Sequence, residues 1–237
     1  MFIGHFGVAL AAKRVTPRTS LGTLVMAAQF VDLIWPLFLL LHVERVLISP
    51  GATVVTPLDF ISYPLSHSLL ADVGWAFLFA GIYKIVKGDS RGAVCLWFVL
   101  LSHWLLDALT HQPDLPLYPG SSRHVGLGLW NSLSGTLLVE CVIFFIGVRM
   151  YARATHARDR MGAAAFRSFI ALLFMFYLVN LFGPPPPSEN AVAWGSLSLW
   201  LLVAWAYWLD RHRLAGPPPP RPVLTTLGQL YEQPPEM

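Results

Sequence analysis

Long apolar runs dominate the chain, and short polar segments separate them. A helix that spans a membrane needs about 20 mostly apolar residues, and six runs approach or meet that length. They cover Leu21–Leu41, Leu65–Val86, Ala93–Leu109, Leu129–Tyr151, Ser168–Phe182 and Val192–Leu209. The shorter segment Phe2–Ala12 predicts an interfacial or re-entrant helix. The pattern therefore predicts an all-α, polytopic membrane bundle of about six transmembrane helices, preceded by a short N-terminal helix.

The composition agrees with this fold class. The chain is 55% hydrophobic and 12% charged, whereas a soluble domain is about a quarter charged. We expect one transmembrane domain over residues 1–214 and a Pro-rich, disordered cytoplasmic tail over residues 215–237, because consecutive prolines cannot continue a helix. The expected partner is the lipid bilayer. No nucleic acid is predicted, and the sequence leaves the oligomeric state open.

Basic residues segregate under the six-span layout. The polar segments near 42–64, 110–128 and 183–191 contain only two of them, Arg45 and Arg123. The other fourteen fall on the opposite side: Lys13, Arg14, Arg18, Lys84, Lys87, Arg91, Arg149, Arg153, Arg158, Arg160, Arg167, Arg211, Arg213 and Arg221. Since Lys and Arg favour cytoplasmic loops, this distribution predicts that both termini are cytoplasmic.

The third apolar run contains three ionisable residues at a spacing of four, His103, Asp107 and His111. A step of four residues turns a helix by about 400°, so the three side chains share one face. Imidazole and carboxylate together suit zinc, with manganese or iron as alternatives. Because one helix does not supply enough ligands, neighbouring helices must complete the site.

Other ionisable residues interrupt apolar runs, where each costs about 2.5–3.5 kcal/mol. We predict a metal site formed by His5, Asp32, His67, His103 and Asp107. The candidate catalytic residues are Asp107 and Glu140, although Glu140 is also explained as a second-shell partner or a helix–helix hydrogen bond. Possible additional members are His111, Asp72 and His124. His111 is equally explained as an interfacial residue, and Asp32 as the partner of an Arg or a His.

One geometric requirement follows from this set. Asp32 lies in the middle of the first run, whereas His67 opens the second. At 1.5 Å per residue, the two differ in depth by about 10 Å or more in straight helices. A kink at Pro36, or an earlier start of the second helix, would bring them together.

The order of the motifs resembles that of a known family. His5-Phe6-Gly7, Asp32, Ser66-His67-Ser68, His103-x-x-x-Asp107 and Pro119-Gly120 follow one another. They resemble the LexA-regulated, inner-membrane, metal-dependent hydrolases of the YdjM-like family over the first 120 to 150 residues. The resemblance implies a bacterial-type inner membrane and a metal-dependent hydrolase. Family members often carry Pro-Asp-x-Asp where this chain has Val-Asp-Leu-Ile.

The same order is similar to that of the zinc-dependent phospholipase C and nuclease superfamily. This similarity implies that one metal is bound by Asp32, His67, His103 and Asp107, and that His5 serves a second metal shared through Asp107. The first functional hypothesis is therefore a hydrolase of a phospholipid or other phosphoester. The second is a proton- or ion-coupled transporter or channel, with Asp32, Asp107 and Glu140 as a relay. The third is a non-catalytic membrane protein in which a metal or polar cluster locks the helices together.

Overall fold

The computed structural model describes residues 1–216, and this part of the chain is mostly helical. Its helices are α1 Ile3–Val15, α2 Leu21–Ala28, α3 Phe30–Leu40, α4 Leu69–Lys87, α5 Ser90–Thr110, α6 Leu133–Ala154, α7 Arg160–Phe182, α8 Glu189–Ser196 and α9 Leu199–Arg211, with a 3-10 turn at Leu129–Asn131. Three antiparallel strand pairs join β1 Arg45–Ile48 to β2 Leu58–Ser62, β3 Leu115–Pro116 to β4 His124–Val125, and β5 Thr155–Ala157 to β6 Arg213–Ala215. The predicted fold class is confirmed. The predicted tail lies almost wholly outside the described residues.

The described residues contain five helices, or up to six if a bent pair forms one span, that are long and apolar enough to cross a membrane. Four are single helices, α4 to α7, and the fifth is formed by α8 and α9 together. The bent pair is α2 and α3, whose axes differ by 55°. α5 and α7 begin before the apolar runs that predict them. Their first turns contain polar residues, which do not count towards an apolar run.

The short N-terminal helix α1 lies inside the bundle. Phe6, Ala9 and Leu10 are fully buried, and the helix packs chiefly on α6. Gly7 allows this approach, since a Cβ there would lie 2.7 Å from the carbonyl oxygen of Ile143. The close packing of the two backbones fixes α1 firmly against α6, which matters because α1 carries His5.

Several helix ends meet at what we call the basic end of the bundle, where α1, α4, α6 and α9 stop. Lys13 Nζ, at the end of α1, donates to Asp210 Oδ1 of α9 at 3.0 Å and to the Thr19 carbonyl at 2.8 Å. The Thr19 hydroxyl is hydrogen-bonded to Tyr83 Oη of α4 at 3.1 Å. Helices predicted to end on the same side of the membrane therefore do end together.

The strand pair β5–β6 covers the same end of the bundle. The Asp159 carboxylate accepts hydrogen bonds from His212 Nδ1 at 3.0 Å and from the Gly162 amide at 2.6 Å. The bond with His212 is the main reason that the pKa of the Asp159 carboxyl is lowered. This contact ties the start of α7 to the end of α9.

Met1 lies away from the basic end. Its amino group donates to Asp107, near the C-terminal end of α5, whereas Gly216 donates to the carbonyl of Ala154, where α6 ends. The distribution of Lys and Arg predicts that both termini are cytoplasmic, and the structure does not describe the C-terminus itself. In the structure the two ends of the described chain lie near opposite ends of the bundle, because α1 runs from the site towards the basic end.

Candidate metal centre

A helix break brings the predicted ligands to one depth. The first apolar run is interrupted at Gln29, so Asp32 lies in the first turn of α3. The expected kink at Pro36 is wrong: Pro36 lies within α3, and the bend occurs seven residues earlier. The alternative of an earlier second helix is also wrong, because α4 begins at Leu69, after His67. His67 therefore sits in the polar segment that precedes α4.

All five predicted ligands converge. Asp32 Oδ1 lies 3.4 Å from His67 Nε2, and Asp32 Oδ2 lies 3.7 Å from His103 Nε2. Asp107 Oδ2 lies 3.1 Å from His103 Nε2, and Asp107 Oδ1 lies 3.2 Å from His5 Nε2. The His5 and His103 rings stack with centroids 3.7 Å apart. Two groups of donor atoms result, His5–His103–Asp107 and Asp32–His67–His103, in each of which all donor atoms lie within 4.8 Å of one another.

The tautomer of His103 follows from its outer hydrogen bond. Its Nδ1 lies 2.8 Å from the carbonyl oxygen of Ala28, and a carbonyl only accepts, so Nδ1 carries the proton. Ala28 is the last residue of α2, where helix carbonyls lack intrahelical partners. Nε2 is buried and makes no hydrogen bond with the described residues. In the neutral imidazole its lone pair therefore points towards the carboxylates of Asp32 and Asp107.

A longer relay fixes the tautomer of His67. The Ser66 hydroxyl donates to Glu44 Oε2 at 2.6 Å and so accepts from His67 Nδ1 at 2.7 Å. Glu44 Oε1 in turn accepts from the amides of Leu65 and Ser66 at 2.7 and 2.8 Å. The proton of His67 is thus held on Nδ1, and Nε2 again offers a lone pair towards Asp32.

Glu140 holds the N-terminus of α1. Its Oε2 accepts from the backbone amides of Phe2 and Gly4 at 2.9 and 3.2 Å. These amides lie at the start of α1, where a helix leaves N–H groups without partners. Glu140 therefore helps to hold the start of α1, which carries His5, and its other oxygen makes no hydrogen bond with the described residues.

His111 lies beside the ligand groups but belongs to neither. Its Nδ1 is 3.0 Å from Asp114 Oδ1, which also accepts from Tyr63 Oη at 2.7 Å. The imidazole packs against Trp130 and Phe60, with ring centroids 4.2 and 4.8 Å away. Burial lowers the pKa of His111. The structure thus gives this residue an aromatic setting outside the two donor groups.

The other two possible members are not brought into the ligand groups either. Asp72 is fully buried in α4, and its two carboxylate oxygens have no hydrogen-bond partner among the described residues. His124 is exposed on β4, opposite Pro116 of β3. Neither residue contributes a donor atom to the two ligand groups.

A family model described as YdjM inner membrane protein matches residues 1–184. The chain belongs to this family. Comparisons with curated proteins and with solved structures gave no match. The match includes all five converging residues and extends further along the chain than the motifs that suggested the resemblance. This member of the YdjM family is therefore a multi-pass inner membrane protein that lies in a lipid bilayer.

A cavity of about 490 Å³ opens onto the cluster in this YdjM family member. The carboxylates and imidazoles that line it belong to Asp32, His67, Asp107, His111 and Glu140. The remaining lining is mainly apolar and comes largely from α7, α8 and α9 and from the segment before β2, and no described Lys or Arg side chain contributes. Cavities of this size hold small molecules, so the cluster is accessible to a ligand with an apolar portion.

Two residues that support the site escaped sequence reasoning. Glu44 and Asp114 lie in loops. Glu44 reaches His67 through Ser66, 22 residues further along the chain, whereas Asp114 contacts His111 only three residues away. The Ser66-His67 pair indicates in part that such a residue exists. A serine hydroxyl that accepts a hydrogen bond from a histidine donates its own proton to another acceptor. The spacing of residues along the sequence does not identify the carboxylate that accepts this hydrogen bond.

Proposed function

We propose that this YdjM family member is a membrane-embedded, metal-dependent hydrolase. The first metal, which we take to be zinc with manganese or iron as alternatives, would be held by Asp32, His67, His103 and Asp107. His5 and Asp107 Oδ1 would serve a second ion, which would have to replace the Met1 amino group that donates to this oxygen in the structure. The observation that carries the proposal is that two buried imidazoles have their Nδ1 protons fixed by outer partners, so both Nε2 atoms face carboxylates.

Two acceptors that face each other need a cation between them. A carboxylate oxygen and a neutral Nε2 both offer lone pairs, and their approach is favourable only with a proton or a metal ion between them. Ligands about 2.0–2.1 Å from one tetrahedral zinc are about 3.4 Å from each other. Among the four proposed ligands, the separations of Nε2 from carboxylate oxygens are 3.1, 3.4, 3.7 and 3.9 Å. This agreement supports a shared metal ion over unrelated hydrogen bonds.

The proposed hydrolysis divides the work between the metal and the chain. A bound divalent ion supplies an activated water and polarises the oxygen of an electrophile. Glu140 Oε1 makes no hydrogen bond with the described residues, and the residue lines the cavity. It is therefore able to accept a proton from a water there. Asp107 orients the centre, since its two oxygens face different histidines.

The substrate class we propose is a phospholipid or another membrane phosphoester. The polar part of the cavity contains the cluster, and the apolar part is formed by helices that themselves reach the lipid. A lipid can therefore present its phosphoester to the cluster while its chains stay in an apolar environment. Because no described Lys or Arg side chain lines the cavity, a bound metal would be the main partner of the phosphate charge.

Metal analysis tests the site directly. Purified wild-type protein is expected to contain at least one zinc per chain by elemental analysis, and His103→Ala and Asp107→Ala are expected to lose it. His124→Ala is the matched control, because this exposed histidine lies outside the ligand groups. Full metal retention in both cluster variants would rule out the proposed ligands.

Turnover separates the hydrolase from the two other hypotheses. Zinc-loaded protein in liposomes is expected to release a phosphorylated product from a phospholipid, and Glu140→Gln is expected to slow this release without loss of zinc. Stoichiometric zinc without turnover on any phosphoester would favour the non-catalytic hypothesis. Ion or proton flux without turnover would favour the transporter.

We also propose that the basic end faces the cytoplasm, so that the metal cluster lies towards the outer leaflet. The support is the fourteen-to-two distribution of Lys and Arg and the meeting of the helix ends at Lys13. Single cysteines in a variant without Cys95 and Cys141 test this. A cysteine at Arg213 is expected to react with an impermeant maleimide only after lysis, and one at Arg123 in intact spheroplasts.

A further inference from the structure

A second groove lies on the outside of the bundle near the basic end. It has a volume of about 680 Å³ and is formed by the last half of α1, the first half of α5 and one residue of α6. It shares no lining residue with the cavity at the metal cluster. Ligand binding here would therefore be independent of the proposed hydrolysis.

Small side chains create the groove. α1 contributes Ala11 and Ala12, and α5 contributes Val94 and Cys95, so the two antiparallel helices leave a channel between them. Its rim faces outward, since Val94 is 59% and Phe98 62% exposed in the isolated chain. In a membrane, the surface beside these helices is lipid, and an acyl chain is the apolar group available to fill such a channel.

One end of the groove is charged. Arg91 lines it from the first turn of α5, at the basic end of the bundle. Within residues 1–216, Arg91 makes no ion pair or hydrogen bond. The Asp89 carboxylate caps the N-terminus of α5 by accepting from the Gly92 amide at 3.0 Å, so the Arg91 guanidinium is the group at this end that attracts an anion. A guanidinium binds phosphate oxygens in a bidentate manner.

We propose that this groove binds one anionic phospholipid of the leaflet at the basic end. One acyl chain lies between α1 and α5, and the phosphate contacts Arg91. The groove binds the acyl chain, and the unpaired guanidinium of Arg91 attracts the net negative charge of the headgroup. The site therefore selects an anionic over a zwitterionic phospholipid.

Native mass spectrometry of the purified protein, titrated with phosphatidylglycerol or phosphatidylcholine of equal chain length, tests this. The wild type is expected to bind one phosphatidylglycerol at least fivefold more tightly than phosphatidylcholine, which is the order of one basic contact near a membrane surface. Arg91→Gln is expected to abolish the preference. Lys87→Gln, which removes a nearby charge that does not line the groove, is expected to keep it.

A second pair of variants tests the acyl-chain part. Val94→Trp fills the groove from an exposed position and is expected to weaken binding of both lipids. Ile85→Trp, at an exposed position on α4 outside the groove, is the control. Equal affinity for the two headgroups in wild type, an unchanged preference in Arg91→Gln, or unchanged binding in Val94→Trp would each overturn the proposal. Full competition by glycerol phosphate would overturn it too, because free phosphate does not need the groove.

Discussion

The substitution Glu44→Gln should reverse the hydrogen-bond relay that fixes His67. Glu44 Oε1 accepts from two backbone amides, so in the variant the amide oxygen must occupy that position. The amide nitrogen then faces Ser66 Oγ and donates to it. The Ser66 hydroxyl becomes free to donate to His67 Nδ1, and the imidazole proton moves to Nε2. That atom is the one that faces Asp32 in the structure.

The expected loss of zinc affinity follows from what is known of residues that hydrogen-bond to a metal-binding histidine. Loss of such a partner typically weakens metal affinity by about 10- to 100-fold, which corresponds to about 1.4–2.7 kcal/mol. We expect Glu44→Gln to fall within this range, since the variant disfavours the tautomer needed for one ligand. The backbone hydrogen bonds of Glu44 can remain, so the fold should be retained.

Zinc dissociation constants from chelator competition at neutral pH measure this effect, with circular dichroism to verify the fold. Glu189→Gln is the matched control, because Glu189 accepts a single backbone hydrogen bond from Val46 at 3.1 Å, away from the cluster. Ser66→Ala interrupts the same relay while it keeps the Glu44 carboxylate. A zinc affinity within about twofold of wild type in both Glu44→Gln and Ser66→Ala would refute the reasoning.

Three further predictions concern thermal unfolding. Gly7→Ala should destabilise the protein by about 1–3 kcal/mol, because its Cβ would press on the α6 backbone, while Gly74→Ala, which meets nothing within 4 Å, should not. Lys13→Met should cost about 3 kcal/mol because the Asp210 carboxylate loses its cation and keeps only the Leu21 amide as a donor, and a second change, Asp210→Asn, should restore part of the loss. Asp159→Asn should lower the Tm at neutral pH, with a difference from wild type that shrinks as the pH falls below 3.8.

The sign of the last effect follows from the lowered pKa of Asp159. A carboxyl whose pKa is depressed in the folded state stabilises the fold above its ordinary pKa and loses that contribution as it becomes protonated. A Tm difference that stays constant down to low pH would contradict it. Equal destabilisation by the two glycine variants would contradict the account of α1, and an additive double variant would contradict the Lys13–Asp210 pair.

The sequence by itself determined the fold class and the identity of the cluster. Apolar runs of spanning length are visible without any tertiary information, because every residue in them must tolerate lipid or apolar neighbours. Ionisable residues inside such runs stand out for the same reason. The spacing of His103 and Asp107 added a local geometric constraint, since a helix places both on one face. The five residues predicted from these features lie within one cluster in the structure.

Only the tertiary structure decided how those residues meet. The break at Gln29 was not evident from the chain, yet it moves Asp32 to the depth of His67 and leaves the Ala28 carbonyl available to His103. The role of Glu44 rests on contacts across 22 residues. A periodic pattern reports which face a residue occupies, but not which distant backbone or loop lies opposite. Hydrogen-bond partners and tautomers depend on that opposite surface, so they became visible only in the folded chain.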